Sequence, residues 1–321
     1  MRRLRLGIIG TGIAATDLHL PQLKKLSDKI EIVAVANRRL SKAVAFAKKA
    51  GVKKVCKNGE ELLAMEQVEA VLLSLPIDLN AAWVLKSLAA GKHVVCEKPL
   101  AANSAEGRRL VASAAKYKKT WLVAENYFFA PHIKKAREWA LSNRIGELRL
   151  LEVSQLNWME ASNKYYKTPW RQNPRFSGGF VTDAGVHLAD IAREILGMPL
   201  AVKAMTARFN PILRPIDSAV AVLRFKKGVL GLWRSCFSAP PGAARPSPIV
   251  LRGSKGTIEI GDGWSLLTPL KGKPLRCVSK ENGFYHEFSH FADVIVRGHK
   301  LAFTPRQALD DLVFMEKLLR A

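Results

Sequence analysis

The sequence predicts an α/β protein in two parts. A doubly wound parallel sheet comes first, and an α+β half with a large, mostly antiparallel sheet follows. Three observations carry this reading. Strand-like and helix-like segments alternate from residue 4 to about residue 124. Six strand-like runs then follow with a single long helix among them. A glycine-rich turn closes the first strand. The boundary is expected between residues 124 and 125.

Leu4–Ile9 is a short apolar run of strand type, and a helical segment, Ala15–Leu26, follows the turn. Ile30–Ala36 is an alternating β-branched strand. The alternation continues through helix Ser41–Ala50, strand Val52–Val55 and helix Gly59–Met65. Val68–Leu75 is almost continuously apolar, as strands buried on both faces are. Helix Asn80–Ala90 ends at Gly91, and strand His93–Cys96 follows. Ser104 is expected to cap a helix reaching Lys118, and Trp121–Ala124 closes the series.

Beyond it, Leu148–Asn157, Val202–Phe209, Ser218–Phe225, Val229–Phe237, Pro248–Arg252 and Thr257–Ile260 read as strands, broken only by helix Asp183–Leu196. Lys226-Lys227-Gly228 and Ser254-Lys255-Gly256 are hairpin signals. An open sheet face near Leu232, Trp233 and Phe237 is the expected surface of a homodimer or homotetramer.

The chain has 321 residues, 48% of them hydrophobic and 24% charged, which suits a folded protein with a large core. Its formal net charge is +24. Residues 1–120 hold 22 Lys and Arg against 10 Asp and Glu, and the rest hold 29 against 17. The excess is spread evenly, with pairs such as Lys24-Lys25 and Lys118-Lys119 inside periodic segments, so it is not a basic arm for nucleic acid. Cys56, Cys96, Cys236 and Cys277 are far apart and make no disulfide framework. No apolar run is long enough to span a bilayer. The basic start Met1–Arg5 is a poor signal peptide because Gly7, Gly10 and Gly12 interrupt the apolar stretch, so a reduced, cytoplasmic setting is expected.

The turn reads Gly10-Thr11-Gly12-Ile13-Ala14-Ala15, a G-x-G-x-x-A between a strand and a helix, which is the dinucleotide-binding fingerprint. Gly10 permits the turn, Gly12 admits the pyrophosphate to the helix N-terminus, and Ala15 allows close helix packing. The second strand ends in Asn37-Arg38-Arg39 with no carboxylate for a ribose 2′-hydroxyl. Asn37 can hydrogen-bond, and two guanidiniums can grip a 2′-phosphate, so NADP is favoured, with NAD still accessible.

Three further pieces give the sequence a resemblance to the glucose–fructose oxidoreductase / inositol dehydrogenase family. They are Glu97-Lys98-Pro99 directly after a strand, Ser177-Gly178-Gly179-Phe180-Val181-Thr182-Asp183-Ala184-Gly185-Val186-His187, and Trp170-Arg171 upstream of it. Asn126–Pro131 and Ile145-Gly146 are similar to the segment that joins the family's two domains. The resemblance implies a Rossmann domain (1–124), a substrate-binding and oligomerisation domain (125–321), and a catalytic set of Lys98, Asp183 and His187. It also implies cofactor contacts from Pro76, Asn80, Glu97 and Lys98, and substrate contacts from Tyr127, His132, Trp170 and Arg171. Phe180 stands where the family has a third glycine, and Asn80 where it often has a histidine near the nicotinamide. Asp190 is expected to be structural.

The chemistry of these residues supports the assignment. Oxidising a secondary alcohol needs a base for the hydroxyl proton, and histidine titrates near neutrality. Asp183 and His187 are four apart and share a helix face. A lysine can stabilise alkoxide character. The expectation is therefore an NAD(P)-dependent dehydrogenase or reductase of a sugar, polyol or sugar derivative, with an anionic sugar compatible with the charge. A glycoside-cleaving enzyme using nicotinamide transiently and a non-catalytic dinucleotide sensor are the alternatives. His286-Glu287-Phe288-Ser289-His290 matches a zinc motif, but Phe284, Phe288, Phe291 and Ile295 mark an amphipathic helix, so no metal site is expected.

Overall fold

The computed structural model describes residues 2–240, 242 and 248–320. They form two compact units, one of residues 1–126 and 283–309, the other of 127–282 and 310–321.

The first unit holds six strands: β1 (Leu4–Ile9), β2 (Ile30–Ala36), β3 (Lys54–Cys56), β4 (Ala70–Leu73), β5 (His93–Glu97) and β6 (Trp121–Ala124). All pair in parallel, in the order β3-β2-β1-β4-β5-β6. Leu4, Leu6, Ile8 and the whole of β4 are buried, as a parallel sheet covered on both faces requires. The order reverses between β1 and β4, and in such sheets the carboxyl ends of the strands at that point form the ligand crevice. The connecting helices are α1 (Leu20–Lys25, preceded by a π-helical turn Ala14–His19), α2 (Leu40–Ala50), α3 (Gly59–Leu63), α4 (Ile77–Ala89) and α5 (Ser104–Ala114).

Two local expectations change. The cap of α5 is Asn103, whose Oδ1 accepts the Glu106 amide at 2.9 Å. Ser104 is the first helical residue, and its hydroxyl accepts from Arg108 instead. α4 begins three residues earlier than periodicity suggests, directly after Pro76, so Asn80 lies inside it.

The second unit contains α7 (Pro131–Leu141), following the short α6 (Asn126–Phe129), together with α8 (Pro169–Gln172) and α9 (Gly179–Leu196). Its sheet has eight strands, ordered β14-β13-β12-β11-β7-β10-β9-β8. Six match the expected runs: β7 (Leu148–Leu156), β8 (Ala201–Ala207), β9 (Ser218–Arg224), β10 (Leu230–Cys236), β11 (Ile249–Gly253) and β12 (Gly256–Gly261). β13 (Trp264–Pro269) and β14 (Leu275–Val278) extend the edge. All neighbours are antiparallel except β7 and β10, which run in parallel with Trp233 opposite Val153.

One face of this sheet carries the core. Leu151, Val153, Ala221, Leu223 and Trp233 are buried there with residues of α7 and α9. Trp233 and Phe237 therefore do not line the open face, as the sequence reading supposed. The alternation of β10 turns Trp233 inward, where its ring lies 5.8 Å from Phe314. The open face carries Met205, Val220, Val222, Leu230 and Leu232 instead, aligned across β8, β9 and β10.

Gly283–Leu309 belongs to the first unit, not the second. This stretch contains α10 (Phe284–Arg297), which buries Phe284, Phe288 and Phe291 against α1 and β1. Lys29 reinforces the join by bonding Ser289 and Asp293, each at 2.8 Å. The last helix is α11 (Pro305–Leu319). Among the described residues, no helix is long and apolar enough to cross a membrane.

Buried charge in the second unit is concentrated on Arg193. Its guanidinium bonds Asp311 at 2.5 Å, Asp190 at 2.8 Å and Glu194 at 2.6 Å. Burial alone would lower its pKa, but Asp311, Asp190 and Glu194 outweigh that and hold it above its ordinary value. Asp190 is thus a structural partner. Arg193→Met leaves Asp190 and Asp311 buried without their cation. It is expected to cost about 3–5 kcal/mol, read as a lower urea midpoint; an unchanged midpoint would contradict this account.

Candidate active site

The first unit assembles a dinucleotide cradle at the carboxyl ends of its strands. Gly10 has a φ of +95°, and a Cβ there would lie 2.1 Å from the Ser74 carbonyl oxygen, so only glycine fits between β1 and β4. Gly12 has open space where a Cβ would be, and its carbonyl accepts the Thr16 amide at 3.0 Å to start the helical turn. The first amides of that turn have no partners within the helix, which is the arrangement that receives a pyrophosphate. Ala15 is fully buried beneath them. These residues fit a dinucleotide.

The end of β2 is shaped by Asn37. Its Nδ2 donates to Thr11 Oγ1 at 2.9 Å, and its Oδ1 accepts the Arg39 amide at 2.9 Å. Asn37 thereby ties the second strand's loop to the glycine turn, with Arg38 and Arg39 exposed beside it.

Lys98 follows β5 in the segment Glu97-Lys98-Pro99, whose last peptide bond is cis. Two side chains hold this segment. Asn80, fully buried in α4, donates one amide hydrogen to the Glu97 carbonyl at 2.8 Å and the other to the Pro99 carbonyl at 2.9 Å. The carbonyls flanking Lys98 are therefore gripped by one side chain. From the other side, His19 Nε2 meets Glu97 Oε1 at 2.5 Å. Pro76 sits at the N-cap of α4, next to the same strand ends.

The second unit gathers a group on α9. Gly178 and Gly179 open the helix with φ of +75° and +53°, and a Cβ on Gly179 would lie 2.2 Å from the Arg214 carbonyl oxygen. Phe180 is buried against Phe237, 5.9 Å away, and so extends the core. Asp183 and His187 lie one turn apart on a common face. Arg171 donates Nε to Asp183 Oδ2 at 2.7 Å while its guanidinium stacks over Trp170 at 3.9 Å and lies near Tyr165 at 5.3 Å. Tyr127 stacks on the His187 ring, with centroids 4.5 Å apart and planes 19° from parallel. Arg171 thus links Trp170 to Asp183, and Tyr127 stacks on His187 one helical turn along.

His132 is placed differently. It is buried on α7, which packs on β12 and β13, and burial lowers its pKa despite the opposing influence of Asp262. The zinc-type motif does not gather its residues either. His286 is exposed, Glu287 is fully buried, and His290 Nε2 accepts the Ala302 amide at 3.0 Å. Among the described residues, no three metal-ligating side chains cluster.

Sequence reasoning missed the grip of Asn80 and the His19–Glu97 contact. His19 gave no signal, because its partner is 78 residues away.

Comparison with known proteins agrees with both units. Residues 4–125 match the model of the oxidoreductase family with an NAD-binding Rossmann fold, and residues 133–259 match the GFO/IDH/MocA C-terminal domain. An uncharacterised protein of Saccharomyces cerevisiae is 31% identical over all of this chain and 96% of its own length. A myo-inositol 2-dehydrogenase of Thermotoga maritima is 30% identical over 79% of this chain and 74% of its own. The crystal structure of an oxidoreductase from Thermotoga maritima superposes with a TM-score of 0.93 at 36% identity, covering 99% of this chain and 96% of that one. The chain belongs to the GFO/IDH/MocA family of NAD(P)-binding oxidoreductases.

Proposed function

We propose that the chain is an NADP-preferring dehydrogenase or reductase of a secondary alcohol or ketone on a sugar, polyol or sugar derivative. The observation that carries the reading is the set of held side chains within each unit. A glycine cradle and a rigidly held Lys98 stand in one unit, and an Arg171-anchored Asp183 stands beside His187 in the other. Membership in the oxidoreductase family, and the polyol named by the myo-inositol relative, support the substrate class.

A bound nicotinamide dinucleotide supplies the hydride acceptor or donor. Gly10, Gly12 and Ala15 hold its pyrophosphate, Arg38 and Arg39 its adenosine phosphate, and Asn37 shapes that loop. Pro76, Asn80 and Glu97 border the nicotinamide end. His187 takes or returns the hydroxyl proton at its imidazole. Tyr127 keeps that ring in plane, and Asp183 assists it from a position set by Arg171. Trp170 and Arg171 face the sugar. The Lys98 ammonium stabilises negative charge on the reacting oxygen. The open apolar strip of Met205, Val220, Val222 and Leu230 supports a homodimer or homotetramer built on that sheet face.

Lys98→Ala is expected to lower kcat about 10²–10³-fold with NADPH affinity nearly unchanged. A sugar and polyol panel followed by nicotinamide absorbance checks it, and near-normal turnover would remove Lys98 from the mechanism. Arg38→Ala is expected to lower the NADP-over-NAD preference about tenfold, the worth of roughly one charge-assisted contact. An unchanged ratio in fluorescence titrations would return the choice of cofactor to other residues. Val222→Glu is expected to shift the protein toward monomer in sedimentation.

A further inference from the structure

Glu287, in the middle of the zinc-type motif, has no place in the chemistry above, yet it is among the most buried acidic groups of the chain. It is 0% exposed on the inner face of α10. Neither carboxyl oxygen has a hydrogen-bond partner among the described residues. A carboxylate in that position would be uncompensated, which is costly. Burial first, and then the charges of Glu97 and Glu125, push its pKa well above the ordinary 4.5.

The groups around it come from each neighbouring element. Glu97 and Cys96 face it from β5, and Glu125 from the end of β6. His19, from the turn after β1, sits edge-on to Phe284 at 5.4 Å and to Phe288 at 5.2 Å, which share the inner face of α10 with Glu287. The same His19 holds Glu97. On the outer part of α10, Lys29 is engaged by Ser289 and Asp293, and His290 by Ala302.

We propose that Glu287 is a positioning residue for Lys98, a buried carboxyl whose charge state decides whether Glu97, the residue before Lys98, stays seated on His19. The inference rests on Lys98 being catalytic. With its proton in place, Glu287 fills its site without repelling Glu97, and Glu97 remains on His19 while Asn80 grips the carbonyls on either side of Lys98. Loss of that proton to solvent sets a second negative charge against Glu97 and Glu125. Glu97 is pushed from His19, and the segment carrying Lys98 shifts with it.

The sign of the pH dependence follows. The folded pKa lies above the unfolded one. Stability from the neutral acid is therefore fully present below the ordinary value and is lost as pH rises through the folded value.

Three proteins test this: wild type, Glu287→Gln and Glu287→Ala. Glutamine keeps the shape and cannot ionise. Its advantage in urea midpoint over wild type should therefore grow from pH 5 to pH 9; a gap independent of pH overturns the assignment. Amide exchange in a peptide spanning residues 93–103 should quicken about tenfold in the alanine variant and return toward wild type in the glutamine variant. With a substrate taken from the panel, kcat should fall about tenfold in Glu287→Ala, with NADPH affinity unmoved and glutamine restoring it. The glutamine variant should also lack the alkaline decline that wild type shows. Exchange and kcat both unaffected in the alanine variant overturn the proposal. If alanine fails to fold, the pH-dependent stability gap and alkaline profile of the glutamine variant decide. Were Lys98→Ala fully active while exchange still responds, the role of Lys98 would fall and the buried device would stand.

Discussion

The constraint on which the proposed site depends is the need to fix Lys98 just past the end of β5. A strand ends where its ladder hydrogen bonds end, so the residues after β5 lose the partners that held them. Here the two carbonyls flanking Lys98 are taken up by a single amide. Asn80 Nδ2 spends both hydrogens on them, from a helix that is itself seated on the sheet. A buried amide with both donors satisfied is hard to displace, because moving it leaves unpaired groups in the interior. A side chain with a four-carbon stem gains little precision from its own rotamers, so precision has to come from the backbone that carries it.

The same logic explains the second unit. Asp183 is a carboxylate on a buried turn of α9, and it meets a guanidinium stacked on Trp170. The planar cation is oriented by the indole face and then orients the acid. His187 is constrained by a different device, the flat Tyr127 ring. Both supports lie outside the Gly178–His187 segment, so the motif supplies the chemical groups while neighbours from distant parts of the chain supply their geometry. Gly185 contributes in the opposite way, through absence. A Cβ there would lie 2.4 Å from the Met315 methyl, so its smallness lets α9 pack against α11.

Much of this was legible in the sequence. The β1 turn could be read because Gly10 and Gly12 answer to local backbone needs, and the apolar runs because parallel strands bury both faces. What was not legible has a common physical character. Asn80 reads as a substituted histidine until the helix start at Ile77 places it under the Glu97–Pro99 segment. Helical spacing puts position 287 on the face of Phe284, Phe288 and Phe291, but an acid there does not read as buried, because an unpaired carboxylate is costly to bury. Return of Gly283–Leu309 to the first unit is a long-range packing choice, made by Lys29 and the Phe288 contact. The parallel pairing of β7 with β10 is likewise long-range, and it sets Trp233 opposite Val153 in the core.

The charge of the chain can be understood in the same terms. Its acids are few, and the structure spends a large share of them internally. Asp183 belongs to Arg171, Asp190 and Asp311 to Arg193, Asp293 to Lys29, and Asp217 accepts the amides of Phe209 and Asn210 from a fully buried position. Glu61 and Glu106 accept backbone amides near the starts of α3 and α5. Acids committed to partners and amides contribute little negative field outside the protein. Each acid paired with a cation cancels it, so the net charge of +24 is carried by basic residues elsewhere in the chain. A surface potential of that sign draws in anions before any contact is made and weakens with salt. In the proposed function the basic excess acts on the approach of an anionic dinucleotide, whereas Arg38 and Arg39 act on its recognition.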